Sequence, residues 1–424
     1  MATVERRWDR VAVGSIAGGT VLRAVFGLWL HPPLNYAYSD MRGYITRAVR
    51  LAAGAKLNRF DTFFPPGTHI VLALPLRVFG TGRAGLWAAS VVWFLISSSV
   101  PLLAWRFARR LMPPKAAAIT ALLTAFWPLY VIYGGFFLSE IPATAALLLT
   151  LWLAFRVHES DGNKRIGFAI TAGLAAGSAL AIRPQLVLNL AIAAWTMLGG
   201  RRSPRVALAA GAGLLLPVAA VLVLNAHAAG RFVGLSENGG LNFFQGHCPV
   251  NTVRMEKRGV GGLVFASPVV VQQNTGHDYY FADRAEWDQP FFFHLGIDCI
   301  RADGVGHLRV VAHNVADLGI TSVPWPPSEE PLLRHFARPA NLAYSWAIAA
   351  IVVFAAALAR EKRGRSASRP GLLIAHLVCV LPTAIVFYGD PRFRVPYDVF
   401  GLGLSAILLT TYLPRRHAEP SESA

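Results

Sequence analysis

Charge, acid and cysteine are what this 424-residue chain has least of. Asp, Glu, Lys and Arg together make up 15% of it, against about 25% in a soluble domain. Beside a hydrophobic content of 54%, that shortage argues against a water-soluble globule and for lipid as the solvent. Three cysteines exclude a disulfide-built scaffold. There is no internal repeat of the solenoid or propeller kind, nor a matching pair of halves. Low-complexity sequence is confined to Glu419 to Ala424, a tail expected to be disordered. The first apolar run, Val11 to Leu30, ends in His31-Pro32-Pro33 without a small-residue cleavage signature, so it reads as a retained helix.

The scarcity of acids leaves a net charge of +17. In a soluble domain that would suggest nucleic acid. Here the arginines sit in short runs between long apolar segments, a topological pattern, and no nucleic-acid partner is expected. The 11 Trp, 25 Phe and 11 Tyr suit interfacial belts and a lipid-facing surface.

A spanning helix needs about 20 mostly apolar residues. Such stretches occur at 11–30, 86–105, 116–133, 138–155, 166–182, 185–199, 206–226, 341–359, 371–388 and 396–413. The expected fold class is an all-α integral membrane protein of about ten transmembrane helices. Alternate connections are basic: Arg6, Arg7 and Arg10; Arg106, Arg109, Arg110 and Lys115; Arg156, Lys164 and Arg165; Arg201, Arg202 and Arg205; Arg360, Lys362, Arg363, Arg365 and Arg369; Arg415 and Arg416. These face the cytoplasm, with both termini. The opposite connections, 31–85, 134–137, 183–184, 227–340 and 389–395, face outward. Ile70 to Phe79, short and holding Pro75, reads as a re-entrant or interfacial helix. The chain divides into an N-terminal membrane module, 1–226, an extracytoplasmic loop domain, 227–340, and C-terminal helices with a tail, 341–424. Within the loop, about 287–320 has helical spacing and the first half is irregular or short strands. Cys248 and Cys299 fall in it, either paired or as two separate thiols. The Arg-, Ala- and Gly-rich usage is that of a GC-rich bacterial genome, which points to a bacterial cell membrane.

Ionisable groups at the outer surface are where function is sought, because a charge in lipid is costly without a use. Asp40, in Tyr38-Ser39-Asp40-Met41-Arg42-Gly43-Tyr44, is placed to take a proton from an acceptor hydroxyl; the purely structural alternative is that Ser39 or Asp40 caps a helix. Glu140, in Ser139-Glu140-Ile141-Pro142, is either an acid facing Asp40 or a first-turn carboxylate favoured by the helix dipole. Arg183 before Pro184, and Arg392 and Arg394 in Pro391-Arg392-Phe393-Arg394-Val395-Pro396, either snorkel to headgroups or hold a phosphate through bidentate hydrogen bonds. If a lipid phosphate leaves, such cations stabilise its charge and one base suffices.

These residues resemble the GT-C superfamily of polyprenyl-phosphate-sugar-dependent glycosyltransferases, especially the branch with protein O-mannosyltransferases and the lipid A aminoarabinose transferase. The resemblance rests on Asp40 and Tyr44, Phe64-Pro65-Pro66-Gly67, Leu138 to Pro142, Gly173 to Gly177 with Arg183-Pro184, Gly230 to Gly246 including Asn242, and Pro391 to Pro396. It implies Asp40 as catalytic base and Glu140 as acid, with Tyr44, Arg183, Asn242, Arg392 and Arg394 binding substrate. It implies a polyprenyl-phosphate sugar donor, an acceptor that is lipid, glycan or protein, and a lipid bilayer around the helices. It fixes no cofactor, and a divalent metal is compatible with the family. Members often show two adjacent acids in the first loop, whereas here Ser39 precedes and Met41 follows Asp40. His247, His277, His294, His307 and His313 lack a compact metal spacing and read as surface histidines. A lipid or solute transporter is the rival reading, but transporters keep charges near the midplane and show repeated halves. A non-catalytic membrane scaffold is a third.

Overall fold

The computed structural model describes residues 2–199, 203–248, 256–258, 262–266, 279–282, 285–319, 325–361 and 369–412. The final tail, His277 and the basic residues 201–202, 362–365 and 415–416 lie outside them. In chain order the helices are α1 (Ala2–Ala24), α2 (Ser39–Ala52), α3 (Gly67–Phe79), α4 (Arg83–Ala108), α5 (Pro114–Phe126), α6 (Pro128–Ile132), α7 (Glu140–Glu159), α8 (Gly162–Ile182), α9 (Val187–Leu198) and α10 (Pro204–Ala229). There follow α11 (Gly239–His247), strands β1 (Glu256–Arg258), β2 (Gly262–Ala266) and β3 (Tyr279–Ala282), then α12 (Gln289–Asp303), α13 (Leu308–Asp317), α14 (Pro331–Glu361), α15 (Pro370–Val378), α16 (Leu381–Val386), α17 (Pro391–Arg394) and α18 (Asp398–Tyr412). The expected helical fold class is therefore met in the membrane part. The loop adds a small antiparallel sheet in the order β1-β2-β3, Glu256 opposite Val264 and Val264 opposite Phe281.

Among the described residues six helical segments are long and apolar enough to cross a membrane, and the bent pair α5 and α6 makes a seventh. Of the other expected crossings, 185–199 falls on the 12-residue α9 and 371–388 on the broken pair α15 and α16, whereas 341–359 lies within the 31-residue α14. Counting apolar residues overlooks the breaks that Pro184 and Pro382 introduce, since proline lacks an N–H and cannot continue a helix interior. Outward-facing Leu215, Leu216 and Val223 on α10 are 60%, 66% and 69% exposed. So much contiguous apolar surface is tolerable only against lipid.

The 50° bend between α5 and α6, at Trp127-Pro128, leaves carbonyls at the end of α5 without helical donors. Buried Arg23 of α1 supplies them, donating to Ala125 O at 2.6 Å and Thr124 O at 3.2 Å. Such substitution is what a membrane interior demands of a broken helix. Packing of α8 on α10 depends on Gly173 and Gly177, where a Cβ would collide with the carbonyls of Ala210 and Leu214. Small residues four apart let the two backbones meet.

The helix ends sort by charge. Arg109 pairs with Asp9 at 3.3 Å and Arg110 with Glu159 at 2.9 Å, bringing the start of α1 and the ends of α4 and α7 to one side. Glu140 opens α7, so the candidate site lies at the opposite end of that helix. There α11 and α12 are joined by a Cys248–Cys299 disulfide, with Cα atoms 5.5 Å apart. Leu241, Phe244 and Phe292 pack with Phe63 of the first loop in one apolar cluster. Buried Glu237 fastens the same two loops: it accepts from Thr62 Oγ1 at 2.5 Å, Arg59 Nη2 at 3.1 Å and Arg231 Nη2 at 2.8 Å.

Candidate active site

Asp40 stands in the first turn of α2, immediately after Ser39, whose φ of 47° is unusual for a residue with a Cβ. No side chain caps this helix, so the capping alternative for Ser39 and Asp40 is not what the structure shows. The carboxylate of Asp40 instead reaches across the fold, accepting from Arg392 Nη2 at 3.0 Å. The same guanidinium donates through Nε to Glu140 Oε1 at 3.1 Å, and Arg183 Nη2 donates to that oxygen at 3.0 Å. Two acids and two arginines from four segments of the chain thus form one connected group.

Burial differs across it. The Asp40 side chain is 28% exposed and that of Glu140 0%. Arg183 and Arg392 face a cavity of about 940 Å³ together with Asp40, Tyr44 and Asn242; Glu140 lies behind them and does not line it. Glu140 Oε2 and Arg183 Nη1, both buried, have no hydrogen-bond partner among the described residues. Local structure aims the arginines. Arg183 ends α8, and the following Pro184 turns the chain. Asp390 caps the short α17 by accepting from the Arg392 backbone N–H at 2.7 Å. Burial pushes the Asp390 carboxyl upward, opposed by Arg392. Trp325 and Phe393 flank the Arg392 guanidinium, with ring centres at 5.0 and 5.7 Å.

Tyr44 is buried against Phe64, ring centres 4.7 Å apart. Burial, then the charges of Asp40 and Glu140, push its phenol up to about 12, so it stays protonated. Asn242, on α11, lines the cavity.

Arg394 departs from expectation. It lies outside the cavity lining and donates to Asp398 Oδ1 at 2.7 Å, Asn341 Oδ1 at 2.5 Å and Leu318 O at 3.0 Å. On a helical turn residues two apart do not face the same way, so Arg392 and Arg394 diverge. The histidines also correct the sequence reading. His247 and His307 are buried, and His307 Nε2 lies 2.8 Å from His247 Nδ1. The other nitrogen of His247 faces Val386 O at 2.9 Å, a carbonyl that can only accept, so Nε2 carries a hydrogen. Burial lowers its pKa.

Sequence reasoning overlooked Arg47, which lines the cavity and lies under three aromatic rings, those of Phe60, Phe64 and Phe63 at 3.9, 4.8 and 6.0 Å. Desolvation lowers its pKa to about 10, leaving it charged at neutral pH. The Phe60, Phe63 and Phe64 cluster in a short loop was the available signal. A divalent metal has no matching ligand set: Asp40 is engaged by an arginine, Ser39 and Met41 flank it, and among the described residues no three His, Cys, Asp or Glu side chains cluster.

Residues 64–225 match the family described as dolichyl-phosphate-mannose-protein mannosyltransferase. No curated protein sequence matches the chain. Two crystal structures of the Archaeoglobus fulgidus oligosaccharyltransferase superpose on it with a TM-score of 0.52, each over 94% of this chain. The complex with Zn and sulfate is 14% identical and the apo form 13%. The chain spans about half the length of that protein, 49% and 50% in the two cases. ArnT from Cupriavidus metallidurans, bound to undecaprenyl phosphate, aligns over 94% of this chain and 76% of its own at 15% identity, with a TM-score of 0.40, too loose to inform the site. The fold is thus shared with the oligosaccharyltransferase structures, and the part carrying Glu140 and Arg183 matches the mannosyltransferase family.

Proposed function

We propose that this protein is a membrane glycosyltransferase, moving a sugar from a polyprenyl-phosphate donor onto a lipid, glycan or protein acceptor. The observation that carries it is the convergence of Asp40, Arg183 and Arg392 on one cavity beside membrane-crossing helices. A dolichyl-phosphate-linked sugar is the donor named by the matching family, which supports a lipid phosphate here.

In this reading Arg183 and Arg392 stabilise the donor phosphate by charge-assisted hydrogen bonds as it leaves. Asp40 takes the proton of the acceptor hydroxyl. The acceptor oxygen bonds to the anomeric carbon while the bond from that carbon to the phosphate oxygen breaks. A phosphate departs as an anion, so no protonating acid is required, unlike glycoside hydrolysis. Glu140, enclosed and clasped by both guanidinium groups, serves to fix them and not to protonate substrate. Tyr44 and Asn242 border the sugar.

The reading places the cavity outside the cell, with the termini cytoplasmic, in a bacterial cell membrane. Two observations support that side. The Arg109 and Arg110 end lies opposite the cavity, as the positive-inside rule requires. The Cys248–Cys299 bond belongs to an oxidising compartment. The chain then divides at 226 and 340 into membrane module, outer loop domain and C-terminal helices. The test is purified protein in nanodiscs with a radiolabelled polyprenyl-phosphate sugar: label passes to acceptor with the wild type and not with Asp40→Asn. Substrate translocation across vesicles without transfer would overturn the reading in favour of a transporter.

A further inference from the structure

Arg392 is shared between the two acids in an unequal way. Its Nε is held by Glu140, which is fully enclosed, whereas its Nη2 is held by Asp40 on the open cavity wall. One contact is an anchor and the other is exposed to exchange. The connected group contains two carboxylates and two guanidinium groups, so on its own it is electrically balanced. A further anion entering such a group finds no surplus of positive charge, yet Arg183 Nη1 is buried beside the cavity without a hydrogen-bond partner among the described residues. A donor unfilled in that position marks where an additional anionic oxygen is accommodated.

We propose that Arg392 is handed over from Asp40 to the leaving phosphate during transfer, pivoting on Glu140, so that proton removal and phosphate departure are coupled through one side chain. The inference rests on the glycosyltransferase reading above. Its charge accounting closes. Before reaction the four groups sum to zero and the donor phosphodiester carries one negative charge. The acceptor hydroxyl gives its proton to Asp40, and its oxygen forms the new bond to the anomeric carbon. The old carbon–oxygen bond breaks with its electron pair on the phosphate, now a monoester with two negative charges at full ionisation. Neutral Asp40 no longer competes for Arg392, and the four groups carry one positive charge as the phosphate gains one negative. The interaction strengthens only as the reaction proceeds, which is the condition for lowering a barrier instead of merely binding substrate.

Undecaprenyl phosphate, the monoester product type, is the probe. Its affinity is measured on full-length protein in nanodiscs for wild type, Asp40→Asn, Arg392→Gln and the double variant, with Asp40→Ala as a second neutral replacement. The hand-over predicts that Asp40→Asn and Asp40→Ala bind at least about tenfold tighter than wild type, and that the gain disappears in the Arg392→Gln background. A gain that persists without Arg392 reflects the removal of a nearby negative charge and overturns the hand-over; so does an Asp40→Asn affinity equal to or weaker than wild type. If wild type and all variants fail to bind the lipid phosphate, it is the underlying glycosyltransferase reading that fails.

Discussion

Arg392 Nη2 and Asp40 Oδ2 lie 3.0 Å apart although 352 residues separate them in the chain. That contact joins the first outer loop to the segment before the last helix, and closes the group that Glu140 and Arg183 complete.

The first prediction concerns Asp40. Its side chain is partly open and makes one ion pair, so Asp40→Asn keeps the fold. Loss of a general base lowers transfer by about 10²- to 10⁴-fold. Labelled-sugar turnover and a thermal melt on the same preparation check both parts; turnover within threefold of wild type would remove Asp40 from the chemistry.

Glu140 and Arg394 separate in the second prediction. Glu140→Gln leaves two buried guanidinium groups short of a counter-charge, a loss of about 3–5 kcal/mol for a broken buried pair, and lowers both melting temperature and turnover. Arg394→Gln breaks the contacts with Asp398 and Asn341, so it lowers melting temperature while leaving the donor KM of the folded fraction unchanged. A selective rise in donor KM would place Arg394 in the site after all.

The disulfide gives the third. Cys248 and Cys299 are 51 positions apart, and losing such a bond costs about 2–4 kcal/mol. The bridged α11 carries Asn242 on the cavity wall, so reductant, or Cys248→Ser with Cys299→Ser, lowers the melting temperature and weakens turnover. An identical melt with and without reductant would show the bond to be irrelevant.

Stability toward acid is the fourth. Burial lowers the pKa of His247 below its ordinary 6.5, so the folded state prefers the neutral ring. Its contribution is fully present above the unfolded value and is lost as pH falls toward the folded one. Melting temperatures measured from pH 7.5 to 5 should therefore fall more steeply for wild type than for His247→Asn. Parallel curves would assign the acid sensitivity elsewhere.

Much of this was legible in the sequence because lipid imposes a strong pattern: long apolar helices and alternating basic connections are readable residue by residue. Asp40, Glu140, Arg183 and Arg392 were legible for the same reason, as charges at helix ends where a charge needs a use. What was hidden depends on direction. Arg394 looks equivalent to Arg392 until the helical turn sends the two apart. Arg23 sits inside an apolar run, and only the bend at Pro128 explains it. His247 and His307 are 60 residues apart, and nothing local to either reveals that they meet in a buried pair. Glu237 resembles any loop acid, yet besides nearby Arg231 it receives Arg59 and Thr62 from the first loop.

The most direct test of the account is a density map of the protein in nanodiscs with undecaprenyl phosphate bound. The account predicts the phosphate within hydrogen-bond reach of Arg183 and Arg392, beside Asp40, with the tail leaving between helices into the bilayer. A phosphate seated instead at Arg394, or among Arg109 and Arg110 at the opposite end, would contradict it.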